Sequence, residues 1–198
     1  MFASLPPVTR AIIIANVVVY LLEQVARNTL FALGALWPLG DSLFEPWQLV
    51  TYSFLHEGLA HIFFNMFALF MFGRPLEQFW GSRRFGIYYF VCVLSAAGTE
   101  LVVQNATQGG GPVIGASGGV FGLLLAFAWY FPRQRLLLLF PPIPLPAWLF
   151  VTLYGAAELI LGVTGAQAGV AHFAHLGGML GGALAILYWR ARGRFSGY

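Results

Sequence analysis

Charge is what this sequence has least of. Its 198 residues include seven acidic and ten basic side chains, 9% of the chain, and every basic one is arginine. With 59% hydrophobic residues and a mean hydropathy of +0.78, the exterior cannot be made polar, which excludes a soluble domain folded round one core. The net charge of +3 has no soluble face on which polar and aromatic residues interleave, so nucleic-acid binding is excluded too. The single cysteine, Cys92, falls inside an apolar run; no intramolecular disulfide can form, and the thiol reads as a small buried hydrophobe. There is no repeat and no low-complexity tract. The first apolar run, AIIIANVVVYLLEQVA, lacks a small-residue cleavage site and is expected to stay as a span.

What the chain does contain is a series of apolar windows. Crossing the hydrocarbon takes about 20 apolar residues as a helix, and six windows approach that: 10–29, 57–73, 85–105, 115–131, 146–163 and 169–189. Arginine placement orients them. With the N-terminus in the cytoplasm, Arg10, Arg74, Arg83, Arg84, Arg133, Arg135, Arg190, Arg192 and Arg194 face inward and only Arg27 faces out. The expectation is a multi-pass protein, N-in and C-in, with residues 1–198 in one membrane domain and its positive charge facing anionic lipid headgroups.

The connections are short except for residues 28–56. That stretch mixes Phe31, Leu33, Leu36, Trp37, Leu43, Phe44 and Trp47 with Asp41 and Glu45, and is expected in the outer headgroup layer. The inner connection PRQRLLLLFPPIPLP is broken by proline and reads as a turn region plus an interfacial segment.

Four polar groups stand where a bilayer makes them costly. Ser117 opens the fourth window among Gly115, Gly118, Gly119 and Gly122. His175 lies about six residues, roughly 9 Å, into the sixth, which also enters from outside. His61 and Asn65 are four apart on one face of the second, in its outer half. Small residues let helices approach closely, and Gly118 and Gly122 can meet Gly177, Gly178, Gly181 and Gly182. Such a meeting brings Ser117 near His175. The same glycines leave amide N–H groups uncovered at a helix start, beside a hydroxyl. GASGG also fits G-x-S-x-G, but without the strand that precedes that elbow, so only the chemistry carries over: a serine, a base and oxyanion donors.

HEGLAHIFFN (56–65), GASGGVFG (115–122) and AHLGGMLGG (174–182), in that order on the second, fourth and sixth windows, resemble the rhomboid family of intramembrane serine proteases across essentially the whole chain. The resemblance implies an all-α, polytopic six-transmembrane-helix rhomboid-like bundle of minimal bacterial form, in a cytoplasmic membrane with its site open to the outer side. It implies Ser117 as nucleophile and His175 as general base, a dyad without an acid, oriented by packing against Phe121. His61, Asn65 and the Ser117 amide would bind the oxyanion, with His56 and Gly115 supporting. His172, one turn before His175, could itself be the base; the family's A-H-x-G-G context ranks His175 first and leaves His172 a loop-facing accessory. Two departures stand out: Trp47-Gln48 where many members have Trp-Arg, and Phe121 where some have tyrosine. Implied partners are transmembrane protein substrates with helix-breaking residues near the outer end. Access is expected by movement of the fifth span against the second, under the loop GVTGAQAG as a lid, with Gln104, Asn105, Thr107 and Gln108 lining the water entrance.

Other readings remain beside this one. Four histidines near one face raise a metal site, but no cysteine is near and neither spacing is H-E-x-x-H, so no metal and no cofactor is expected. Glu100 and Glu158 could carry protons in a transporter; no inverted repeat or paired broken helices accompany them, and interhelical hydrogen bonds or snorkelling to the outer interface account for them. A catalytically inactive rhomboid-like protein that binds membrane clients is the alternative function.

Overall fold

The structure is a computed structural model and describes residues 5–137, 142–165 and 170–193. Helix α1 (Pro7–Gly34) is followed by a loop containing the short α2 (Gln48–Thr51) and a 3₁₀ turn (Tyr52–Phe54). Next come α3 (Leu59–Ala68), a π turn (Leu69–Gly73) and α4 (Arg74–Trp80), then α5 (Ser82–Thr107) and α6 (Ser117–Tyr130). Strands β1 (Arg135–Leu137) and β2 (Pro144–Pro146) lead to α7 (Ala147–Thr164) and α8 (His172–Ala191).

Six helical columns thus run between two ends, α3, the π turn and α4 forming one of them. Among the described residues, four helices are long and apolar enough to cross a membrane: Pro7–Gly34, Leu59–Trp80, Ser82–Thr107 and Ala147–Thr164. The second column runs past the expected stop at residue 73. Pro75 has no N–H to donate to the preceding turn, and the π turn at Leu69–Gly73 absorbs that loss so that the helix continues.

Helix α6 is the centre. It is apolar all round, and Gly118–Leu124 and Ala126–Ala128 are buried, as such a helix must be. Gly118 and Gly122 let neighbours close in. A Cβ on Gly178 of α8 would run into the Gly118 carbonyl, and one on Gly122 would run into Cys92 of α5. Hydroxyls of α5 tie the three helices together: Tyr88 Oη donates to Gly122 O (2.8 Å) and Ser95 Oγ to Gly177 O (2.8 Å).

One end of the bundle gathers the arginine-bearing connections. Glu77 accepts from Val8 N, Thr9 N and Thr9 Oγ1 at the start of α1, and from Ser82 Oγ at the start of α5. Trp80 packs on Tyr130 and Trp189, and Arg190 lies 6.0 Å from the Trp129 ring. Arg194 lies outside the described residues. The proline-broken connection forms a two-stranded antiparallel pair, with Arg135 opposite Pro146 and Leu137 opposite Pro144. Both strands are edges, which is where proline is tolerated.

The other end holds the long loop, which is tied down from within. Gln48 is fully buried, donates to Leu43 O (2.7 Å) and accepts from Trp37 N (3.3 Å), so glutamine anchors the loop where arginine is usual in the resemblance. Leu36 and Val113 exchange backbone hydrogen bonds of 2.9 Å in each direction, and Gly115 N donates to Tyr52 O (2.9 Å). These bonds satisfy the non-helical segment that dips to the start of α6. At 14 residues, α6 is only about 21 Å long.

Candidate active site

Ser117 is the first residue of α6, and its position follows from the turn before it. Gly115 has φ +126, a conformation in which L side chains are strained, and a Cβ there would stand 2.8 Å from His61 Nε2 and 3.7 Å from Ser117 Oγ. Glycine therefore serves both the turn and the approach of His61 to Ser117. The first amides of α6 lack intrahelical acceptors and lie at the positive end of its dipole.

His175 comes from the first turn of α8, carried to α6 by the Gly118–Gly178 contact. Its Nε2 lies 2.8 Å from Ser117 Oγ. The Phe121 ring stacks on the imidazole, with centroids 4.2 Å apart and planes 6° from parallel, and Tyr154 stacks on the other face of Phe121 at 5.1 Å. Nothing in the spacing of α7 with respect to α6 announces Tyr154, and sequence reasoning missed it.

Behind His175 stands a carboxylate. Glu158 of α7 is buried, and its Oε2 lies 2.9 Å from His175 Nδ1 and 2.7 Å from His172 Nδ1. This corrects two expectations. His175 is not left to packing alone, because a buried acid meets its second nitrogen. His172 is not loop-facing: it is 4% exposed and turned inward to Glu158, since one turn of α8 puts it on the same side as His175. The sequence held a signal, for Tyr154 and Glu158 are four apart on one face of α7, but the phase of α7 against α8 is not written in it. Glu158 forms the expected interhelical hydrogen bond and does not snorkel.

On the opposite wall, Asn65 is buried and donates from Nδ2 to His61 O (3.0 Å), which orients its amide along α3. His61 Nδ1 accepts from Glu57 N (3.4 Å). His56 lies ahead of α3, its ring edge-on to His61 at 5.0 Å and its amide bonded to Glu23 Oε2 (3.1 Å). Burial, with His61 beside it, pushes the His56 imidazole down to about 4, so it stays neutral. The four histidines thus divide into two pairs. Glu158, His172 and His175 are the group among the described residues with ligand chemistry for a cation, their donor atoms all within 4.8 Å of one another. Two donors at about 2.1 Å from a tetrahedral ion stand roughly 3.4 Å apart; 2.7 and 2.9 Å is hydrogen-bond spacing, and the three do not fit an ion as they stand.

Ser117, His175, His61 and Asn65 line one cleft of about 1140 Å³. Phe64, Phe67 and Phe72 of the second column and Phe150 and Tyr154 of α7 also line it. Glu100 and Gln104 reach it from α5, with Gln104 Nε2 donating to Glu100 Oε1 (3.1 Å) and Gly111 O (3.0 Å). Asn105 and Gln108 line a separate hollow of about 170 Å³ beside it. Of the loop expected as a lid, residues 166–169 lie outside the described residues.

The Rhomboid domain model matches residues 43–192, which include every residue of this cleft beyond Phe31. The chain belongs to the rhomboid family. It is an integral, multi-pass membrane protein. Similar proteins include RHOMBOID-like protein 6, mitochondrial, of Arabidopsis thaliana, 33% identical over 79% of this chain and 48% of its own length. Rhomboid protein 1, mitochondrial, of Saccharomyces cerevisiae is 29% identical over 85% of this chain and 49% of its own. Rhomboid protease GlpG of Serratia proteamaculans is 27% identical over 95% of this chain and 64% of its own. The rhomboid chain described here therefore spans about half to two thirds of the length of these relatives.

Proposed function

We propose that this chain is an intramembrane serine endopeptidase that hydrolyses a peptide bond in or near the transmembrane segment of other membrane proteins. The observation that carries the proposal is the 2.8 Å contact between His175 Nε2 and Ser117 Oγ in a cleft otherwise lined largely by apolar side chains. Ser117 Oγ attacks the carbonyl carbon while His175 Nε2 takes its proton. The tetrahedral oxyanion is held by the Ser117 amide, Asn65 and His61. His175 returns the proton to the leaving amine, the C–N bond breaks, and water, deprotonated by the same nitrogen, hydrolyses the acyl-enzyme.

The six columns are read as six spans, with the arginine-bearing end in the cytoplasm and the cleft on the outer side. A substrate must arrive extended, because a helical peptide bond is shielded by its own hydrogen bonds. Substrates with helix-breaking glycine or proline near the outer end fit that requirement, passing between the phenylalanines of α3 and α7.

The experiment is cleavage of a single-span substrate with a glycine-containing outer end by the purified chain in detergent, beside Ser117→Ala and His175→Ala. Cutting by the intact chain alone, unaffected by a chelator, supports the proposal. Binding without cutting points to the inactive client-binding relative, and cutting that survives Ser117→Ala removes the nucleophile.

A further inference from the structure

Glu158 is a buried carboxylate beside the dyad that the proposed chemistry does not use. It sits on α7, buried, with a single oxygen facing two imidazoles. An ionised carboxylate only accepts hydrogen bonds, so each facing Nδ1 must carry the proton. For His175 this has a direct chemical meaning. With its proton held on Nδ1, the lone pair is on Nε2, the atom that faces Ser117 Oγ at 2.8 Å. Glu158 thereby selects the tautomer in which His175 is a base.

We infer that Glu158 is a positioning residue for the reaction proposed above: its carboxylate fixes the His175 tautomer and balances the imidazolium formed when Ser117 gives up its proton, turning an apparent dyad into a Ser–His–Glu relay. The inference rests on the protease reading. Three contacts fix the His175 ring: Ser117 at one edge, Glu158 at the other, and the Phe121 face 4.2 Å away. His172 fixes Glu158 in turn, at 2.7 Å. His172 Nε2 is buried without a hydrogen-bond partner among the described residues, so its part in the relay is played through Nδ1. A tie between α7 and α8 alone would need only one of these two bonds. Both converge on the oxygen that serves His175, and a buried carboxylate with two donors keeps its charge and its direction.

The test measures kcat and KM for Glu158→Gln and Glu158→Asp in the full chain, with the same substrate in detergent. Glutamine matches the shape and can still bond the histidines, but its NH₂ can donate to Nδ1 and favour the wrong His175 tautomer. The expected result for Glu158→Gln is a kcat lower by about 100-fold or more with KM within about threefold, as for loss of an interaction made in the transition state. Glu158→Asp keeps a carboxylate and should recover about tenfold or more of that loss. A Glu158→Gln chain with kcat within about threefold of the intact one overturns the inference, as does a folded Glu158→Asp chain no better than Glu158→Gln. If Glu158→Gln does not fold, His172→Ala decides: kcat lowered at constant KM supports the relay, and kcat within about threefold of the intact chain overturns it. The two readings fail differently. An intact chain that cuts, with a Glu158→Gln chain that cuts as well, sinks only the relay; an intact chain that never cuts sinks the protease reading and the relay with it.

Discussion

The Gly118 carbonyl of α6 occupies the space in which a side chain on Gly178 of α8 would stand. That contact sets the distance between two helices, and the distance sets the site, since Ser117 and His175 each lie within one turn of it. Gly178→Ala is expected to force the helices apart, with a stability loss of about 1–3 kcal/mol from overpacking. Cleavage should fall together with the midpoint of thermal unfolding. Gly98→Ala, inside α5 with open space around it, is the control and should leave cleavage unchanged.

Gly115→Ala puts a Cβ 2.8 Å from His61 Nε2 at φ +126. Holding an L residue there costs about 1–3 kcal/mol, and His61 must move. Cleavage should drop by about tenfold or more, as for a displaced oxyanion donor. An Ala variant as active as the intact chain would show that His61 takes no part.

Asn65→Ala and His61→Ala are expected to lower kcat by about 100-fold each with little change in KM, since oxyanion donors act in the transition state. Steady-state kinetics on the same substrate checks this. A rise in KM at constant kcat would assign both side chains to substrate binding instead.

Tying α3 to α7 should close the cleft from the side. A Phe64→Cys, Phe150→Cys chain, bridged by a thiol-reactive linker, is expected to stop cutting a transmembrane substrate; Cys92 is buried and should not interfere. Reduction of a cleavable linker should restore the rate. Cutting that continues through the bridge would place the substrate's path elsewhere.

How much of this could be read from the sequence differs residue by residue. The pairing of Ser117 with His175 was legible because glycine spacing says which helix faces meet, and His61 with Asn65 because four residues make one helical face. The Glu158 contact was not. It joins residues 17 positions apart on two helices whose relative rotation is set by packing, and an acid in an apolar run reads the same whether it snorkels or turns inward. The 14-residue length of α6 was hidden too. The helix begins at Ser117 because Gly115 N is drawn to Tyr52 O, a contact 63 positions away in the chain that no local pattern encodes. Inward placement of His172 was missed for the same reason as Glu158, its partner being on the other helix.

The most direct test of the account is to map the covalent adduct of a fluorophosphonate, a serine-directed probe, by mass spectrometry of the intact chain in detergent. The expected adduct is on Ser117, formed fast in the intact chain and slowed by about 100-fold or more in His175→Ala, where the base is gone. An adduct on another residue, or equal labelling of Ser117 with and without His175, would contradict the claim that these two side chains act together.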